Sequence, residues 1–451
     1  MTEEQNYRYE YTLGDYRAVE SAKIDLESIT VVAGINGCGK STLSRWLYYT
    51  TDVLNRYNTL VYTDYLNSVW QLSILYDNVK NELSVASNKS EAFSSIPLPH
   101  FIAQMALKPS SLENVEKVQE WIEEKLESLC DNLEEYIAGN GNLAEVDRLL
   151  IGLGVWQISD KESSDRIGKL TAVQKKTIEG LTTRYKERMR RRSMTDFRSL
   201  IKANYKENVT PPCLALKEND IEIVGTKTTV VRTLQGLQKV IYVESPMAVS
   251  VEAQSPLWWK SLRDKMNYDN PAFEPSKEAQ SLMKQISKLM GGEITKDSLN
   301  GKKKELLLDS RIDGKIAIRN LATGYKTLSY IYRLLDNGMI GSRTLLIIDE
   351  PEAHLHPRWI AEYARILVLL NKMMGVKVFI ATQSPEFIQA IRAIANKEKT
   401  LDGMRFYVAE PSKNNEGKYT YKDLGQEVFD IYKSFNQIYD KIEKYGDQDY
   451  D

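Results

Sequence analysis

The chain has 451 residues, 42% of them hydrophobic, enough for two or three folding units in tandem or with one inserted in another. Against 62 Asp and Glu stand 60 Lys and Arg, a net charge of −2, so any charged partner must be inferred from local charge. No apolar run approaches the ~20 residues that span a bilayer. The acidic start Met1-Thr2-Glu3-Glu4-Gln5 lacks the pattern of a secretion signal. Three scattered cysteines, Cys38, Cys130 and Cys213, argue against a disulfide framework or a zinc site. A cytoplasmic protein without membrane contact is the expectation.

Strand-like stretches at Tyr7-Arg8-Tyr9-Glu10-Tyr11 and Ala18-Val19-Glu20 lead to Ile29-Thr30-Val31-Val32-Ala33, a β-branched run that reads as a buried strand. Gly34-Ile35-Asn36-Gly37-Cys38-Gly39-Lys40-Ser41 follows at once and fits G-x-x-x-x-G-K-[ST]. Thr42-Leu43-Ser44-Arg45-Trp46-Leu47 then begins a helix, which completes the context that the motif needs. Glycines let backbone N–H groups turn inward around a β-phosphate, and the helix N-terminus adds its positive end. The candidate nucleotide-binding residues are therefore Gly34, Asn36, Gly37, Gly39, Lys40, Ser41 and Thr42. Lys40 would neutralise the β and γ oxygens, and Ser41 would offer its hydroxyl to Mg²⁺. Cys38 fills a position in this loop that calls for a small side chain.

From Leu112 to Ile137 apolar residues recur at Val115, Val118, Ile122, Leu126, Leu129, Leu133 and Tyr136, a heptad-like helical stripe whose other faces are acidic. A second helical stretch, Thr171 to Tyr205, is basic, with Arg184, Lys186, Arg188, Arg190, Arg191 and Arg192 at its densest part. Joined through Gly139-Asn140-Gly141-Asn142, the two suggest a helical hairpin or small bundle. Arg184–Arg192 is read either as pairing with Glu123, Glu127 and Glu134 of the acidic helix or forming a solvated face, or else as contact with nucleic-acid phosphates. His100, between prolines and Phe101, reads as a loop residue. The Trp258-Trp259 pair reads as core or protein interface.

Val240-Ile241-Tyr242-Val243-Glu244 reads as a further strand, and Ile312–Ile318 as a hairpin turned by Asp313-Gly314. Thr344-Leu345-Leu346-Ile347-Ile348-Asp349-Glu350 is an apolar run ending in two acids, which marks a central parallel strand covered on both faces. Such sheets place ligands at the carboxyl ends of their strands. Asp349 is then the candidate for holding Mg²⁺, and Glu350 for the base that polarises an attacking water. Lys40 and Asp349 lie 309 residues apart, so something is inserted between the two halves of the site. The expected division is 1–100 and 207–451 as the two parts of one domain, with 101–206 as the helical insertion. His354 and His356 form an H-x-H pair without a third ligand at suitable spacing.

Asp349-Glu350-Pro351-Glu352-Ala353-His354-Leu355-His356-Pro357 resembles the Walker B and D-loop segment of the RecF/OLD/SMC-like branch of ABC-class P-loop ATPases, and Gly34–Ser41 resembles that branch's phosphate loop. Asn320-Leu321-Ala322-Thr323-Gly324-Tyr325-Lys326-Thr327-Leu328 resembles its signature motif, which in the family reads nearer Leu-Ser-x-Gly-x-Lys. Val378-Phe379-Ile380-Ala381-Thr382-Gln383-Ser384-Pro385 resembles its switch strand, with Gln383 where the family commonly has histidine. The resemblance implies an α/β fold: an ABC-type P-loop ATPase with a mixed β-sheet and an inserted, charged, short coiled-coil-like helical domain. It implies ATP and Mg²⁺ as cofactors and a homodimer or higher oligomer that clamps ATP, with Thr323, Gly324 and Lys326 reaching the facing copy's nucleotide. Glu350, Lys40 and Gln383 form the catalytic set. Gln383 can hydrogen-bond a phosphate oxygen but cannot shuttle a proton, so slow hydrolysis is expected. OLD-like relatives often carry a fused nuclease, but only about 65 residues follow Pro385, short for such a domain. The resemblance thus points to a stand-alone ATPase subunit of an antiphage defence system, acting on a separate effector such as a nuclease. The alternative is a DNA repair or maintenance ATPase that binds DNA directly. The long insertion speaks against the energising subunit of a transporter.

Overall fold

A computed structural model describes residues 7–86, 100–108, 110–155, 165–244, 248, 255–297, 305–312, 314–353 and 355–433. The chain opens with strands β1 (Tyr9–Tyr16), β2 (Val19–Asp25) and β3 (Ile29–Ala33). Six helices follow: α1 (Lys40–Ala86), α2 (His100–Ala106), α3 (Leu112–Ala138), α4 (Leu143–Gly152), α5 (Arg166–Arg191) and α6 (Met194–Tyr205). Next come β4 (Ala215–Glu218), β5 (Ile221–Val224), β6 (Lys239–Val243), α7 (Leu257–Asn267) and α8 (Lys277–Met290). Strands β7 (Gly292–Asp297), β8 (Glu305–Ser310) and β9 (Gly314–Ala317) precede α9 (Thr323–Asp336). The remainder is β10 (Thr344–Asp349), α10 (Pro357–Met374), β11 (Lys377–Thr382), α11 (Pro385–Lys397), β12 (Met404–Pro411) and β13 (Tyr419–Gly425).

Two compact units emerge, one of residues 1–55 and 197–451, the other of residues 56–196. The division therefore falls at 56 and 196 rather than at 101 and 206. The reason is that α1 is one uninterrupted helix of 47 residues, and the second unit begins inside it.

The first unit is built on a ten-stranded sheet in the order β5-β4-β1-β2-β13-β12-β3-β11-β10-β6. Strands β12, β3, β11, β10 and β6 run parallel to their neighbours within that block, and antiparallel pairs extend it, so the fold is mixed α/β. Every residue of β3 and of β10 is buried, as their β-branched and aliphatic runs require of strands covered on both faces. One face presents Ile29, Val31, Leu346, Ile348, Val378 and Ile380 to the apolar stripes of α8, α9, α10 and α11. Alternate residues, Tyr242 and Ile347 among them, point to the other face. β6 is in the sheet, beside β10, as its apolar pattern suggested. β7, β8 and β9 make a separate antiparallel sheet. There Ser310 pairs with Gly314, so the β8–β9 turn has three residues, 311–313, instead of the two-residue Asp-Gly turn expected. Asp313 itself lies outside the described residues.

The second unit is helical. In α3 the stripe Val115, Val118, Ile122, Leu126, Leu129 and Leu133 is buried, Tyr136 is half-buried, and Ser111 caps the helix by accepting the Asn114 N–H at 3.2 Å. The expected link through Gly139–Asn142 does not lead to the basic helix, because α4 stands between them. The basic stretch is two helices, α5 and α6, broken where Arg192 takes a left-handed φ of 44°. Its arginines do not pair with Glu123, Glu127 or Glu134 among the described residues. Arg188 donates to Asp196 at 2.8 Å and Asp64 at 3.2 Å, and Arg192 donates to Asn58 at 2.9 Å and lies over the Tyr57 ring. Asp64, Asn58 and Tyr57 lie on α1, so sequence distance hid them, whereas Asp196 stands eight residues after Arg188, at the start of α6. Arg184, Lys186, Arg190 and Arg191 remain exposed.

Arg188 and Arg190 should therefore respond differently to replacement. Arg188→Gln removes charge-assisted bonds to two carboxylates and should cost about 1–3 kcal/mol in a denaturant or thermal melt. Arg190→Gln should stay within about 0.5 kcal/mol. Coincident melting curves for the two variants would contradict this account of the cluster.

Candidate active site

The site lies where β3, β11, β10 and β6, neighbours in that order, end together. β3 stops at Ala33, the glycine loop follows, and α1 starts at Lys40 with no acidic residue in its first turn to offset its positive end. Gly37 and Gly39 have φ of 81° and 99°, the left-handed region that favours glycine. A Cβ on Gly39 would also come within 2.6 Å of Val19 Cγ2. Cys38 is fully buried, with its Sγ packed so that a Cβ on Gly34 would meet it at 2.7 Å, which explains why a small side chain stands there. Lys40 Nζ donates to the carbonyls of Gly34 at 2.8 Å and Ile35 at 2.9 Å, which holds the ammonium across the loop. Asn36 is exposed at the loop's tip, and Ser41 and Thr42 are half-buried in the first turn of α1.

Asp349 ends β10 and is 3% exposed. Its Oδ2 accepts the Tyr242 phenol at 3.0 Å and the Ser44 hydroxyl at 3.2 Å, while Oδ1 has no hydrogen-bond partner. Burial pushes this carboxyl up; the nearby Ser41 hydroxyl, the Tyr242 phenol and the Arg45 guanidinium work against that rise. A buried carboxylate with one oxygen unpartnered beside a serine hydroxyl is a donor set that fits a hard divalent cation. Asp349 and Ser41 are the residues that would hold it.

Glu350, the next residue, has a left-handed φ of 51°, a strained setting for a side chain larger than glycine. Its backbone is held there by its N–H on Ala381 O at 2.8 Å and by the Ala353 N–H on its own carbonyl at 3.0 Å. Gln383 Nε2 donates to Glu350 Oε1 at 3.4 Å, so the switch strand reaches the second acid of the pair. Gln383 is aligned in turn by Glu352, whose carboxylate accepts the Gln383 N–H at 3.0 Å and the Thr382 hydroxyl at 2.9 Å. Burial raises the Glu352 pKa, these hydrogen bonds oppose the rise, and the Glu350 charge adds to it.

The structure thus brings Lys40, Ser41, Asp349, Glu350 and Gln383 to one sheet edge. Thr323, Gly324 and Lys326 belong to a different environment, the start of α9, which packs on α7, α8 and α10. A Cβ on Gly324 would lie 2.9 Å from Trp359 Cδ2, the Tyr325 ring is tilted 55° against that indole with centroids 5.2 Å apart, and burial lowers the Lys326 pKa. His356 caps α10, its Nδ1 accepting the Arg358 N–H at 3.3 Å, and His354 lies outside the described residues.

Four contributors went unassigned from sequence: Ser44, Tyr242, Glu352, and the Arg45–Glu244 pair. Ser44 stands three residues after Ser41, hence on the same face of α1, a signal that was available. Tyr242 and Glu244 depend on which strand neighbours β10, and no local pattern encodes that.

Residues 252–389 match the family described as "AAA domain, putative AbiEii toxin, Type IV TA system". Protein ea59 of Escherichia phage lambda is 42% identical over 62 residues, 14% of this chain and 11% of the phage protein's own length. Among solved structures, an Smc head domain with an extended coiled coil, bound to the C-terminal domain of ScpA and derived from Pyrococcus furiosus, aligns over 96% of this chain and 98% of its own, at 11% identity and a TM-score of 0.32. The SMC head domain from Thermotoga maritima aligns over 93% and 99%, at 11% identity and a TM-score of 0.35. The glycine loop stands between β3 and α1 on a mixed α/β fold, and the family match falls on a different part of the chain, residues 252–389. Among the described residues no helix is long and apolar enough to cross a membrane.

The Glu352 latch has a measurable consequence. Glu352→Ala leaves the Gln383 N–H and the buried Thr382 hydroxyl without their acceptor and should lower unfolding stability by about 1–3 kcal/mol. An unchanged denaturant midpoint would show that the latch does not hold the two strand ends together.

Proposed function

We propose that this chain binds ATP with Mg²⁺, hydrolyses it slowly, and closes with a second copy of itself around the nucleotide to control a separate effector. The observation that carries the reading is the buried Asp349 carboxylate, one oxygen held by two hydroxyls and the other unpartnered, set against Ser41 at the positive end of α1. Lys40 exchanges the Gly34 and Ile35 carbonyls for the β and γ oxygens of ATP, and the backbone of Gly34–Gly39 wraps the β-phosphate. Mg²⁺, when bound, neutralises charge developing between the β- and γ-phosphoryl groups. Glu350 accepts the proton of the attacking water, and the Gln383 amide, in reach of Glu350 Oε1, orients that water or a γ oxygen. An amide transfers no proton, which favours long-lived ATP-bound states over rapid turnover.

The two-copy clamp is supported by the separate setting of Thr323, Gly324 and Lys326 at the start of α9, a helix that packs on α7, α8 and α10, with Gly324 against Trp359. Facing another copy, the N-terminus of α9 would present backbone N–H groups to the γ-phosphate across the interface. The effector, a nuclease in an antiphage system, is the reading that the resemblance to stand-alone ATPase subunits favours; the family match to a putative toxin system is in keeping with it. Direct DNA binding, as in a repair or maintenance ATPase, draws on a different observation, the exposed Arg184, Lys186, Arg190 and Arg191 of α5.

Glu350→Gln should keep wild-type ATP affinity, lose about 10²–10⁴-fold in hydrolysis, and accumulate as the closed dimer with ATP. Lys40→Ala, which should lose ATP binding, is the control. If light scattering gives the same mass with and without ATP for Glu350→Gln, the clamp is wrong. For DNA, Gln at the four exposed α5 positions should remove most duplex affinity and flatten its salt dependence by about 0.9 in log–log slope per lost contact. Unchanged duplex binding at two salt concentrations would retire that second reading.

A further inference from the structure

We propose that Tyr242 is a positioning residue for the divalent cation, acting through Asp349. The proposal rests on the nucleotide-site reading above and adds a residue that no phosphate-loop or acid-pair motif contains.

Tyr242 lies on β6, where it pairs in register with Ile347, two residues before Asp349 on β10. Its side chain leaves the sheet on the α1 face. There it stacks on Tyr48 with ring centroids 5.4 Å apart and meets the edge of Trp258 at 6.3 Å. Packing of this kind leaves the phenol little rotational freedom, and its O–H ends 3.0 Å from Asp349 Oδ2. The Ser44 hydroxyl on α1 lies 3.2 Å from the same oxygen and 3.2 Å from the Ser41 carbonyl, so its one proton is shared between them. The phenol is the donor committed to Oδ2, and it restrains the rotation of the carboxylate about its Cβ–Cγ bond. With Oδ2 engaged, Oδ1, which has no hydrogen-bond partner among the described residues, is the oxygen that remains for a cation beside the Ser41 hydroxyl. A carboxylate free to rotate would offer either oxygen, and ordering it would then cost affinity each time the cation binds.

The ring is itself anchored. Glu244, two residues on, accepts the indole N–H groups of Trp258 at 2.8 Å and Trp259 at 3.0 Å and pairs with Arg45 of α1. Arg45 lies over the Trp258 ring, 5.1 Å from its centroid. The end of β6, the start of α7 and the first turns of α1 are thereby tied together around the phenol, so its position is set by three elements.

Tyr242→Phe tests the proposal, because it keeps the ring and its stacking and removes one O–H. The measurement is the affinity for a non-hydrolysable ATP analogue, by calorimetry, with and without Mg²⁺, beside a melting curve. The expected result is wild-type affinity without Mg²⁺ and a Mg²⁺-dependent gain smaller by about 10–100-fold, the usual loss on removing a partner of a metal ligand. Ser44→Ala should act in the same direction. An unchanged Mg²⁺-dependent gain in Tyr242→Phe would overturn the positioning role. Equal losses with and without Mg²⁺, accompanied by a lower melting temperature, would overturn it in favour of packing alone. A wild-type protein that binds no nucleotide would instead remove the reading on which the proposal rests.

Discussion

A carboxylate at the end of a fully buried parallel strand is the constraint around which this molecule is arranged. At 3% exposure, burial drives Asp349 toward its neutral form, and the net shift stays upward. The rise is opposed from three directions, by Ser41 on α1, Tyr242 on the neighbouring strand and the charge of Arg45, while Glu244 adds to it. Each needs the tertiary fold, because α1, β6 and β10 are far apart in sequence and meet only through sheet order. The Lys40 ammonium, itself buried, is held on the loop carbonyls of Gly34 and Ile35.

Strain accompanies that arrangement. Glu350 takes a left-handed backbone that costs about 1–3 kcal/mol, and the loop glycines occupy conformations open to few other residues. Such geometry persists where the surroundings over-determine it. Here the Glu350 N–H is bound to β11, and Glu352 binds the Thr382 hydroxyl and the Gln383 N–H of the same strand end. The second acid and the switch glutamine are therefore positioned as one body, although 33 residues separate them.

The helical unit follows simpler rules. Its acidic and basic helices meet through apolar seams, while Arg188 pairs with carboxylates of α1 and α6, and Arg192 bonds the Asn58 amide of α1, rather than the acidic helix facing α5. Charge complementarity between two helices was a poor guide because arginine pairs best where both partners are partly desolvated, and the glutamates of α3 project toward solvent.

By itself the sequence determined the elements whose signal is local. The strand–loop–helix around Lys40 follows from glycine spacing, the burial of β3 and β10 from unbroken aliphatic runs, and the apolar seam of α3 from heptad spacing. The acids Asp349 and Glu350 and the amide Gln383 were legible because each stands directly after such a strand. What lies across the sheet was decided only by the tertiary structure. The neighbour of β10 is β6, which brings Tyr242 and Glu244 to the site; α1 runs on for 47 residues; and Arg188 of α5 reaches Asp64, 124 residues away. The physical reason is the same in each case: periodicity and propensity specify what a segment is, whereas strand order and helix docking depend on which apolar faces find each other, and no short window of sequence contains both faces.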